Sequence, residues 1–222
     1  MNAWRAVYAC AFVLTCGTAA FAQDAVKTNP THYKVLIDNP SVRVLRVTYA
    51  PGAKSTTHSH PDSLVVVLGN AKVRFTTDGK SQDQDMADGS ATYAAASTHM
   101  VENVGKGPID GILVEFKGAA PGKATLPASR PGLTSKTLAE GPRAVASVTT
   151  ADPTFHEPAG SKHDFDQVVI ALGPGQLSLS LDGKPAKTTW ARGDAVFIGR
   201  GVAHEAKNTG GKPVDMVIVA IK

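Results

Sequence analysis

Cysteine is almost missing from this chain of 222 residues. Cys10 and Cys16 are the only two, and both lie in the first segment, which reads as a removable leader. A mature chain without cysteine has no disulfides, no thiolate nucleophile and no Cys-ligated zinc. Aromatic residues are also few, at 6%, and the basic residues are scattered, so the formal charge of +4 forms no block of one sign. That pattern excludes a nucleic-acid surface built from basic and aromatic side chains. Sustained helical periodicity is absent, and so is any run long enough to cross a bilayer once the leader is gone. Hydrophobic residues make up 42% and charged residues 19%, the balance of a globular chain.

The leader has a secretory form. Arg5 supplies the positive start, an apolar run extends from Ala6 to Leu14, and Ala20-Phe21-Ala22 has the small-x-small pattern of a cleavage site. Residues 1–22 are therefore expected to be a signal peptide, with Gln23 first in a periplasmic or secreted protein. Cys16 follows Val13-Leu14-Thr15, which is not the small-residue context of a lipidated cysteine.

What remains reads as strands. Lys34–Asp38 is a short apolar run, Val42–Tyr49 alternates, Leu64–Leu68 is apolar throughout, and Ala71–Thr77 alternates again. Asp78-Gly79 is a two-residue hairpin signal. Residues 118–141 carry Pro121, Pro127 and Pro131 among Gly, Ala and Ser, and read as a linker with one short helix near Leu138. After it the text repeats. Asp182-Gly183-Lys184 matches Asp78-Gly79-Lys80, and His204, Asn208, Gly210 and Pro213 match His99, Asn103, Gly105 and Pro108 in one register. That argues for duplication of one β unit, with domains at 33–117 and 142–222.

The chemistry-bearing stretch is Gly52 to His60. His58 and His60 are two apart, so a strand presents both imidazoles on one face. With His99 they make a candidate site for a divalent transition metal, because neutral imidazoles suit Fe, Mn, Zn, Ni or Cu. The same three histidines could instead line a metal-free pocket. Glu102 and Glu115 lie in neighbouring segments, and either could enter it.

These residues resemble the cupin superfamily. Its first motif, glycine, five residues, His-x-His, then glutamate and a later glycine, matches Gly52, His58, His60 and Gly69, with Leu64 or Val65 in place of the glutamate. On a strand running unbroken from His58, that place falls to Leu64. The second motif matches Gly193, Gly201, His204 and Asn208, and more loosely Gly89, His99 and Asn103. The resemblance implies an all-β chain of two antiparallel jelly-roll barrels joined by the linker. It implies a three-His metal site at His58, His60 and His99, and a degraded second pocket at His163, Gln167 and His204, where Ser161 takes the first ligand position. That second half is expected to have lost its metal. His156 falls outside the motif, and Trp190 is expected to pack. Cupins serve many functions. The enzyme that three histidines imply is a dioxygenase acting on a small organic molecule. The alternative is a periplasmic binding or sensory module without chemistry. Barrel pairing is also implied, either in a homo-oligomer or within the duplicated chain.

Overall fold

The structure is a computed structural model and describes residues 23–222 except 119–121, 125, 127 and 128. The expected signal peptide, both cysteines and part of the expected linker lie outside the described residues. Among those described there is one four-residue helix, α1 (Ala25–Thr28), and the regular structure is otherwise strand. No described helix is long and apolar enough to cross a membrane.

The first half contributes a five-stranded and a four-stranded sheet. β1 (Tyr33–Asp38), β2 (Val42–Tyr49), β9 (Ile109–Phe116), β4 (Ser63–Val67) and β7 (Ala91–Ala94) lie side by side in that order. β3 (His58–His60), β8 (Ser97–Asn103), β5 (Ala71–Thr77) and β6 (Lys80–Met86) form the smaller sheet. The second half repeats this order strand for strand. Its larger sheet is β10 (Leu133–Glu140), β11 (Ala144–Ala151), β18 (Val214–Ile221), β13 (Asp166–Ala171) and β16 (Ala195–Ile198). Its smaller sheet is β12 (His156–Ser161), β17 (His204–Asn208), β14 (Gly175–Leu181) and β15 (Lys184–Trp190). Paired strands are antiparallel throughout both halves.

Leu138 lies in β10, a strand paired along its length with β11, and not in the expected helix. The proline-rich text ends at Pro131, and the run that follows has the β-branched residues and polar alternation of an edge strand. β10 is the counterpart of β1, so the repeated unit starts inside the stretch read as linker.

Alternation of side chains places three cores. In the first half Tyr33, Leu45, Tyr49, Val73, Val101, Ile109 and Leu113 fill the space between the two sheets. In the second half Leu133, Val169, Leu177, Leu179, Trp190, Ala206 and Met216 do the same. The opposite faces of the two larger sheets meet each other. Val42, Val44, Leu64, Val66, Ile112, Val114 and Phe116 pack with Ala144, Ala146, Val168, Ile170, Val217, Val219 and Ile221. Strands buried on both faces must be apolar at nearly every position, which is why Leu64–Leu68 shows no alternation.

Both hairpin signals fold as such. Asp78 and Asp182 have φ of 50° and 48°, and Gly79 and Gly183 follow at 75° and 73°. Two successive left-handed residues are the requirement of the tight turn that matches strand twist.

Candidate metal centres

In the first half, β3 places His58 and His60 on the inner face, both buried, and β8 places His99 directly opposite His58. Ring centroids are 4.9 Å apart for His58 and His60, 5.0 Å for His58 and His99, and 5.5 Å for His60 and His99. One ring nitrogen from each lies within 4.8 Å of the others. Each Nδ1 already has a partner. His58 Nδ1 donates to the Thr56 carbonyl at 2.8 Å, His60 Nδ1 donates to Glu115 Oε1 at 2.7 Å, and His99 Nδ1 lies 3.1 Å from Ser97 Oγ. The carbonyl and the carboxylate fix the tautomers of His58 and His60 and leave Nε2 as the ligand atom, while the Ser97 hydroxyl can donate to or accept from His99.

The electrostatics keep two of these rings neutral. Burial pushes the His58 pKa down, and burial with the neighbouring His60 and His58 brings His99 to about 4. Burial acts to raise Glu115, but hydrogen bonds from His60 and from Arg43 Nε (2.5 Å to Oε2) outweigh it and hold the carboxyl below its ordinary range. Tyr33 completes the site. Its hydroxyl donates to His58 Nε2 at 2.8 Å and accepts from Tyr49 at 3.0 Å. Burial raises its pKa well above the ordinary value.

The place of the motif glutamate is corrected. Leu64 is fully buried, but in the core between the two larger sheets, facing away from the histidines. Pro61-Asp62 breaks the chain between β3 and β4, so the parity counted from His58 does not carry across. Register decides the equivalence instead. Gln167 pairs with Ala220 next to Val168 and Val219, and Ser63 pairs with Glu115 next to Leu64 and Val114. Ser63 therefore stands where Gln167 does, on the inner face. Glu115, its cross-strand neighbour, brings a carboxylate in from β9. Glu102 does not enter; it lies near Lys54 and Arg74 at the rim. Beside the histidines is a cavity of about 130 Å³ lined by Tyr33, Val65, Phe75, Met86, Leu113 and other mostly apolar groups.

In the second half, His163 and His204 come together with ring centroids 4.8 Å apart. Ser161 lies opposite His204, as His58 lies opposite His99, and its hydroxyl donates to the Pro158 carbonyl. Gln167 is buried and lines the adjoining cavity of about 50 Å³, but it is not part of the ligand cluster. The third member is Glu157, which motif spacing did not reveal. Asp166 is used elsewhere, accepting from Ser41 and from the Arg200 amide. His156 is half exposed and pairs with Glu205, while Trp190 is buried and donates to the Leu177 carbonyl.

By sequence, no protein-family model matches the chain and no curated relative is found. Solved structures are similar in fold. A cupin 2 conserved barrel domain protein from Leptotrichia buccalis matches at 14% identity and a TM-score of 0.57, over 86% of this chain and 88% of that one. AerE from Microcystis aeruginosa matches at 15% and 0.63, over 86% and 97%. The fold is a cupin fold. A third similar structure, salicylate 1,2-dioxygenase from Pseudaminobacter salicylatoxidans, matches at 11% and 0.63, over 85% and 76%. At such identities the likeness concerns the fold, and function rests on the residues of the site. Three clustered imidazoles, two of them buried, form a donor set of the kind that suits a divalent metal ion.

Proposed function

We propose that this chain is an exported bicupin, with cupin domains at 33–117 and, from the start of β10, 133–222, that acts on a small organic molecule at a divalent metal held by His58, His60 and His99. The observation that carries this reading is the donor set: three histidines bring one ring nitrogen each within 4.8 Å of the others, and the Thr56 carbonyl and Glu115 fix the rings of His58 and His60. Three ligands leave coordination positions open on the cavity side. An ion bound there would supply Lewis acidity or redox chemistry. The chain supplies the rest. The Arg43–Glu115–His60 series holds one ligand in place, and the apolar wall keeps water away from the substrate. The cavity lining includes no lysine or arginine among the described residues, which favours a neutral, largely apolar substrate over a free carboxylate. A dioxygenase reaction is the activity favoured, since a dioxygenase is among the structures of similar fold.

A second reading, binding without chemistry, is favoured by Tyr33. Its hydroxyl already satisfies the His58 Nε2 lone pair, as it would in a metal-free pocket. The two readings separate on protein purified without a metal-binding tag. The enzyme reading expects metal that is lost from the first site in His58→Ala, and oxygen consumption with a panel of small phenols and diketones. Metal-free protein, with His58→Ala indistinguishable from wild type in ligand binding, would sink it. Amino-terminal sequencing of the mature protein tests export, with Gln23 expected first.

A further inference from the structure

The second half, expected to have lost its metal, contains a cluster of one carboxylate and two imidazoles, with Glu157 and His204 buried. His204 is held by β17 with its side chain 1% exposed. Its Nδ1 donates to the Val202 carbonyl at 3.2 Å, so in the neutral ring Nε2 carries the lone pair. That Nε2 is buried without a hydrogen-bond partner. It faces Glu157 Oε2 at 3.4 Å, and His163 Nε2 lies 3.9 Å from Glu157 Oε1. The contact calls for a positive charge between the two, a proton on Nε2 or a metal ion, and one ligand atom from each of Glu157, His163 and His204 lies within 4.8 Å of the others. Buried groups left unsatisfied in this way are costly. We propose that Glu157, His163 and His204 form a second metal centre, taking one divalent transition ion through a carboxylate and two imidazoles.

The two halves place their carboxylates differently, and the difference decides their roles. Glu115 contacts His60 at Nδ1, the side away from the histidine cluster, and orients it. Glu157 faces His204 at Nε2, the ligand side. Register shows how each arrived. Glu115 on β9 has Ala220 as its counterpart on β18. Glu157 pairs with Ala206, while the corresponding Val101 in the first half bonds Ser55, so a glutamate stands where the first half has a serine. Ala206 belongs to the inner core, so ordinary cross-strand pairing puts the carboxylate on the inner face. Arg130 holds Glu157 Oε1 at 2.8 Å from the rim and leaves Oε2 directed at His204. Ligand atoms about 2.0–2.2 Å from one ion would need only small movements from these separations. Two imidazoles and one carboxylate suit Zn, Fe or Mn. The site does not depend on the first centre's being an enzyme.

The test is metal stoichiometry on the tag-free full chain, stripped by chelator and titrated with Zn²⁺, with Co²⁺ as a spectroscopic probe. Wild type is expected to take two equivalents. Glu157→Gln, nearly isosteric and still able to accept from Arg130, should keep the fold by circular dichroism. Its second equivalent should weaken by more than the about 10–100-fold typical of losing an outer partner. His58→Ala should lose the other equivalent and keep this one, and the double variant should lose both. Zn²⁺ should still raise the melting temperature of His58→Ala but not of the double variant. One equivalent in wild type, removed by His58→Ala and untouched by Glu157→Gln, would overturn the proposal and leave a proton as the missing cation. Two equivalents bound equally well by Glu157→Gln would remove Glu157 from the ligand set.

Discussion

His99 shows how burial and metal chemistry pull in one direction. Its depressed pKa keeps the imidazole neutral, and therefore available as a ligand, well below neutral pH. The same depression has a stability consequence. The unfolded chain binds a proton on this residue near 6.5, the folded chain only near about 4. Where the unfolded state binds more protons, stability falls as pH falls. His58, also depressed, adds in the same direction. Chelator-treated protein is thus expected to lose stability between about pH 6.5 and pH 4, and His99→Asn to show a shallower loss. Urea midpoints across that range check this; identical slopes in the two proteins would contradict it.

At the scale of elements, β9 does two jobs through alternation. Its even positions pack against the second half, and its odd positions reach the inner pocket, which is how Glu115 meets His60. Glu115→Gln keeps the shape but has one acceptor oxygen where the carboxylate serves both His60 and Arg43. Loss of such an outer partner typically costs about 10–100-fold in metal affinity. Competition with a chelating dye should show that loss at the first centre and leave the second unchanged. The strands themselves were legible in the sequence, as were the two Asp-Gly turns, because alternation and left-handed turn residues are local signals. The carboxylates were not. Glu115 reaches the site across a strand pair, and a register irregularity separates Glu157 from Ser161 and His163, so neither has a fixed spacing from the histidines. Leu64 was misplaced for a related reason: counting by twos fails where Pro61-Asp62 separates β3 from β4. β10 was hidden by the prolines and glycines just before it.

On the scale of the whole molecule, the halves share a core. The packing of the two larger sheets predicts that they unfold in one transition. Gly141, between β10 and β11, sits against the other half: a Cβ there would lie 2.3 Å from the Tyr93 ring. Tyr93 is held in place by stacking on Phe116 and by its hydrogen bond to Asp62. Gly141→Ala should therefore destabilise the protein by about 1–3 kcal/mol, the usual cost of overpacking. Calorimetry should show one lowered transition; two separate transitions would show that the shared core does not couple the halves.

That central double sheet also governs what substitution can do to this chain. Stability is held in common, because the apolar layer between the larger sheets belongs to both halves. The two pockets lie on opposite sides of it and share no ligand. A change of ligand in one pocket is thus invisible to the chemistry of the other, so long as the common layer stays packed. The repeated architecture therefore lets the two pockets carry different donor sets on one shared layer, and Glu157 at the position that Ser55 holds in the first half is where they differ.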